Sequence, residues 1–176
     1  MGSHRRVGVA WRPKDGRFES TGSHAGYSIL INAPAAPDED DRAPTGYSPV
    51  ELLLAGAGAC AAWDIVQMLR KRRVALRGLQ VEVEGLQADE PPWPYERIAL
   101  HFAVDCDRLS VGALERVIRL AIVRYCGVLA TVRGVASVEA SMEIVGGTTG
   151  GSGRLPVRLD VAVAEALAVA PPGDEE

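Results

Sequence analysis

Residues 48–73 read SPVELLLAGAGACAAWDIVQMLRKRR. Ser48 and Pro49 open a helix here: serine is a favoured N-cap, and proline in the first turn gives up an N–H that would have no helical partner. Glu51 then meets the positive end of the helix dipole, and the cations Arg70, Lys71, Arg72 and Arg73 complement the negative end. As far as Gln67 the helix is apolar on nearly every face, which predicts that protein encloses it. Gly56 and Gly58 each cost about 1 kcal/mol relative to alanine in a helix, so a close neighbour is expected at both. In the middle stands Cys60. Free cysteine is among the most buried residue types, so it is either an apolar filler or a buried reactive thiol.

On the N-terminal side, RVGVAW, GRFES and YSILIN are short runs separated by Asp-Gly and Gly, the pattern of an antiparallel meander. The segment APAAPDEDDRAPTGYSP, with four prolines and a knot of acids, reads as a loop. On the C-terminal side, Leu79, Val81 and Val83 alternate in one strand. Ile98, Leu100, Phe102 and Val104 do so in the next, with Cys106 on the same buried parity. A proline-rich hairpin loop, QADEPPWPY, joins the two. Leu114, Val117, Ile118, Ala121, Ile122 and Tyr125 form the stripe of a second helix that ends near Cys126, with Gly127 as its C-cap. VASVEASMEIV adds a further alternating strand. The order of elements predicts an α+β domain over residues 1–145, an antiparallel sheet with helices segregated from it. Residues 146–153, GGTTGGSG, have the composition of a flexible linker. Residues 154–176 form an extension that reads equally as a strand or an amphipathic helix.

Composition narrows the function. A chain of 176 residues, 47% apolar and 24% charged, can bury a real core. A net charge of −4 supplies no basic field for nucleic acid. Three scattered cysteines fit a reducing cytoplasm better than a secreted disulfide framework. The twelve apolar residues between Glu51 and Asp64 fall short of the roughly 18 of a membrane span, so no membrane anchor is expected. Metal ligands usually come with a close pair such as C-x-x-C, and neither the cysteines (60, 106, 126) nor the histidines (4, 24, 101) offer one. No G-x-S-x-G elbow accompanies His101, which alternation places on the polar face of its strand. The glycine run lacks the Gly-Lys-Ser/Thr ending of a phosphate loop, so no nucleotide site and no cofactor are expected.

Two thiols remain, one in the middle of a buried helix and one at the end of another. If the helices pack together, they could form an attacking and a resolving pair. Such chemistry runs on a thiolate, which apolar surroundings disfavour unless a cation is near.

The stretch at 48–73, followed by VIRLAIVRYCGV, resembles the OsmC/Ohr family of thiol-dependent hydroperoxide reductases, and most of all its YhfA-like branch of uncertain function. TGSHAGYSILIN and RIALHFAVDC extend the likeness to about residues 6–145. The resemblance implies an intertwined homodimer with central helices buried and sites at the subunit interface. It makes Cys60 the peroxidatic thiol, oxidised to a sulfenic acid by an organic hydroperoxide, and Cys126 the resolving thiol. An external dithiol would reduce the resulting disulfide.

It also implies an activating arginine from the meander, for which Arg17 is favoured over Arg12 with Lys14 between them, and a glutamate near the start of the first helix. Here the chain departs from the pattern. The family glutamate follows the proline directly, a place held by Val50, while Glu51 is nine residues before Cys60 and so on the far side of the helix. Glu51 is therefore either catalytic or a dipole partner only. Asp64, one turn after Cys60, would disfavour a thiolate. Trp63, Met68 and Tyr125 could line an apolar pocket or pack in the core. The alternative to a peroxidase is a non-enzymatic protein of the same fold that binds a small apolar ligand at its dimer interface.

Overall fold

The computed structural model describes residues 5–13, 17–23, 26–31, 46–145 and 155–159. The chain forms two compact units, Met1–Leu53 and Leu54–Glu176.

In the first unit, β1 (Gly8–Arg12), β2 (Arg17–Thr21) and β3 (Ser28–Ile31) make the expected antiparallel meander. Trp11 faces Phe18 across the β1/β2 pair with ring centroids 4.9 Å apart, a cross-strand contact that helps fix the register. Lys14 and most of the acidic loop lie outside the described residues. Tyr47 bridges back to Ile31 just before helix α1 (Pro49–Lys71) begins. The helix start is a reciprocal capping box. Ser48 N–H donates to the Glu51 carboxylate at 2.7 Å, and Glu51 N–H donates to Ser48 Oγ at 3.3 Å, so each side chain satisfies a backbone donor that the first turn leaves free.

The second unit contains α1 from Leu54 onward, β4 (Leu76–Gln87), β5 (Tyr95–Cys106), α2 (Val111–Leu120), α3 (Gly127–Val132), β6 (Ser137–Ile144) and β7 (Leu155–Leu159). The sheet order is β4-β5-β6-β7. The outer pairs β4/β5 and β6/β7 are antiparallel, but β6 runs parallel to β5. Parallel neighbours need a crossover, and α2 with α3 is that crossover. The core forms on one face of the sheet. Ile98, Leu100, Phe102 and Val104 of β5 pack with Met142 of β6 against Ala57, Ala61, Ile65 and Leu69 of α1 and Leu114, Val117 and Ile118 of α2.

The structure corrects or sharpens four expectations. First, within the single chain α1 is covered on one face: its buried residues are Ala57, Gly58, Ala61, Ile65 and Leu69, while Ala59 is exposed and Trp63 is 65% exposed. By length and composition alone this 23-residue helix passes as a membrane span, contrary to the count of twelve apolar residues, although one face of it is core. Second, α2 does not continue to Cys126. After Leu120 it widens into a π-turn, Ala121–Tyr125, and Gly127 opens α3 instead of closing α2. The extra residue turns Tyr125 outward, 54% exposed, and Cys126 inward. Third, part of the extension is strand, β7; residues 146–154 and 160–176 lie outside the described residues.

Fourth, the two helix glycines differ. A Cβ on Gly58 would come 2.8 Å from Val83 Cγ2 of β4, whereas one on Gly56 meets nothing within 4 Å among the described residues. Gly58→Ala is therefore expected to destabilise by about 1–3 kcal/mol, the overpacking outweighing the helix propensity gained. Gly56→Ala should stabilise by up to about 1 kcal/mol. Urea unfolding midpoints of the two variants, compared with wild type, check both signs.

Candidate functional site: a pair of thiols

Within the second unit the structure brings Cys60 and Cys126 together. Cys60 lies on α1, half-buried and packed against the core. Cys126 is 1% exposed and stands between the π-turn and α3, with φ −69° and ψ 102°, as the N-cap of α3. Its sulfur accepts the Leu129 N–H at 3.4 Å and donates to the Ala57 carbonyl at 3.9 Å, one turn before Cys60. The two thiols are neighbours close enough to interact electrostatically, and both are free.

Burial pushes the Cys126 thiol up to about 11; the Leu129 N–H pulls the other way, and the neighbouring Cys60 thiol adds to the rise. At neutral pH Cys126 is thus a protonated thiol, whose hydrogen is directed to the Ala57 carbonyl. Because only a thiolate is a good nucleophile, this arrangement suits Cys60 to attack and Cys126 to follow. It also has a consequence for stability. An exposed thiol in the unfolded chain titrates near ~8.5, so the folded state holds this proton more tightly. The stabilisation is full below that pH and is lost as pH rises through about 11. Urea unfolding between pH 8 and 11 should therefore fall more steeply for wild type than for Cys126→Ala.

Cys106 is a core residue at the end of β5, as its parity indicated; burial raises its thiol. Asp64 is half-buried on α1. Met68 packs against the core, whereas Trp63 and Tyr125 are exposed. His101 is half-buried on the other face of the sheet, its Nδ1 2.8 Å from Ser141 Oγ. A groove of about 660 Å³ on that face is lined by Glu82, Glu84, His101 and Glu143, away from the thiols. No group of three or more His, Cys, Asp or Glu among the described residues is placed to hold a metal ion.

Arg17 and Glu51 belong to the first unit. Arg17 starts β2 opposite Arg12, and Arg12 is engaged by Glu19, whose carboxylate it holds below the usual range. The Glu51 carboxylate is held low by the Ser48 backbone N–H, then by the Ser48 hydroxyl, the two partners of the capping box. That role was legible, since Ser48-x-x-Glu51 is a capping-box signature.

The fold and this pair define an α+β protein with two neighbouring cysteines, one on its first helix and one in the middle of its crossover. The chain belongs to the OsmC-like protein family, whose model matches residues 39–141. It is 31% identical over 123 residues to Protein YhfA of Escherichia coli K12, covering 70% of this chain and 87% of that one. Among solved structures, the OsmC-like protein from Mycoplasma pneumoniae matches with a TM-score of 0.70 at 18% identity, over 83% of this chain and all of the other. The organic hydroperoxide resistance protein OhrB of Bacillus subtilis matches with a TM-score of 0.54 at 16% identity, over 80% and 98%. These structural likenesses carry the fold.

Proposed function

We propose that the protein reduces organic hydroperoxides with the Cys60 and Cys126 thiols. The observation that carries this reading is the juxtaposition of the two free thiols, one half-buried on α1 and its neighbour fully buried at the start of α3. The Cys60 thiolate attacks a peroxide oxygen, the O–O bond breaks, and the alkoxide leaves as the alcohol after taking a proton. Cys60 is then a sulfenic acid. Cys126 sulfur attacks the Cys60 sulfur, and the hydroxyl departs with the Cys126 proton as water, leaving a disulfide. An external dithiol reduces it by exchange and restores both thiols. The substrate class is supported by fold relatives described as organic hydroperoxide resistance proteins, such as that of Bacillus subtilis.

In this reading Arg17 provides the cation that favours the thiolate, and Glu51 acts chiefly as a helix cap. The active form is a homodimer. What supports it is exposed apolar surface of the kind that marks association: Val9, Trp11 and Ile29 on the meander, and Trp63 on α1. A reducing cytoplasm suits the three free thiols.

A second reading, a dimer that binds a small apolar ligand without chemistry, is favoured by one observation: Glu51 is already occupied by Ser48. Thiol counting and intact mass, before and after one equivalent of cumene hydroperoxide, separate the two. A fall from three thiols to one, with the mass lower by two hydrogens, supports the peroxidase. Three unreacted thiols overturn it in favour of the ligand-binding protein.

A further inference from the structure

We propose that Arg133, at the far end of α3, is a positioning residue that holds the Cys126 sulfur in line with Cys60. The inference rests on the thiol-pair reading but concerns a residue outside the pair. It follows from main-chain hydrogen bonds around Cys126. In the π-turn the Cys126 N–H closes on the Ala121 carbonyl at 2.8 Å. At Cys126 the chain leaves helical geometry, and the Leu129 N–H in the first turn of α3 donates to the cysteine sulfur. The Val123 carbonyl would accept from the Gly127 N–H if the helix continued. Instead it accepts from Arg133 Nη2 at 2.7 Å, in a half-buried hydrogen bond.

Arg133 is fixed in turn, because its own N–H donates to Leu129 O at 3.0 Å, and Leu129 N–H donates to the Cys126 sulfur. The link from Val123 to Arg133 therefore closes a loop with Cys126 at its vertex. The angle between the π-turn and α3 sets where the sulfur points, and Arg133 ties those two arms together. A charge-assisted bond is stronger than a neutral one, which suits a hinge that must keep its angle. Disulfide formation is sensitive to that angle: the bond accepts a narrow range of Cα separations and dihedrals, and a displacement of about 1 Å can cost two orders of magnitude in an oriented reaction.

The test is the equilibrium of the full chain with glutathione, in which the dithiol and oxidised glutathione give the Cys60–Cys126 disulfide and two reduced glutathiones. This reads the effective concentration of one thiol at the other and needs no peroxide. Arg133→Met removes the donors and is expected to lower the equilibrium constant at least tenfold. Arg133→Lys, which keeps a donor, should recover much of the loss. Arg119→Met, which breaks only the surface pair with Glu115, should leave the constant unchanged. Thermal melts accompany each variant, because a purely structural arginine would lower the midpoint without moving the constant. If Arg133→Met does not fold, Arg133→Leu, which likewise has no donor, is read in its place.

A folded Met or Leu variant with the wild-type constant overturns the inference. With cumene hydroperoxide, the Met variant should oxidise Cys60 at the wild-type rate but accumulate sulfinic acid in place of disulfide; a wild-type partition between the two also overturns it. A wild-type chain that forms the disulfide with glutathione yet ignores cumene hydroperoxide overturns the peroxidase reading alone. A wild-type chain that never forms the bridge overturns both.

Discussion

Cys60→Ser is expected to abolish hydroperoxide consumption, lowering the rate by at least about 1,000-fold, as loss of a nucleophile does in enzymes that depend on one. A serine hydroxyl in the same place cannot supply the thiolate, and Cys126 cannot take over because it is held as a thiol up to about 11. Cys126→Ser should behave differently. It retains the first oxidation, within about threefold of wild type in the same kinetic terms, and then stops after one equivalent with a sulfenic acid on Cys60 that a dimedone label captures. Peroxide loss followed over time, with intact mass at the end, reads both variants. Wild-type peroxide consumption in both variants, with no sulfenic acid captured, would mean that the pair acts as packing.

The largest effect on stability is expected at Phe102. It is fully buried in the middle of β5, beside Val81 of β4 and Met142 of β6 in the register of the sheet, on the face that packs against the helices. Phe102→Ala should cost about 3–5 kcal/mol, the lost burial plus the cavity it leaves. Against a typical net stability of about 5–15 kcal/mol, that is a large fraction of the total. Chemical unfolding of the reduced protein measures it. A loss below about 1 kcal/mol would show that the core collapses into the space left by the ring.

Much of this architecture could be read from the residues, because burial imposes a period. Two-residue alternation identified β4, β5 and β6, and the parity of Ile98, Leu100, Phe102 and Val104 is the parity that faces the helices. The capping signal at Ser48 located the start of α1. What the residues concealed has physical causes as well. A π-turn inserts one residue without interrupting the apolar stripe, so Ala121 and Ile122 stayed buried as expected while Tyr125 turned outward. Gly56 and Gly58 are identical in sequence terms, and only the position of Val83 distinguishes them. The parallel pairing of β6 was implicit in the order strand, helix, strand. At the site, Cys60 and Cys126 were both identifiable, and the structure brings them together. Arg133 was not, because its partner is a backbone carbonyl ten residues earlier, and no side-chain pattern records which carbonyl a turn leaves without a donor.

The parallel pairing of β5 and β6 has a further consequence. The crossover that it requires delivers Cys126 to α1 from more than sixty residues away along the chain. In the unfolded ensemble those sulfurs rarely meet, so a bridge between them removes a large share of that ensemble's chain entropy, about 4 kcal/mol at 25 °C for a loop of this size. Under the proposed chemistry, each peroxide turnover would pass through a form that is harder to unfold than the resting dithiol. Resistance to heat or protease would then report redox state, and the chain would be toughest while it is oxidised.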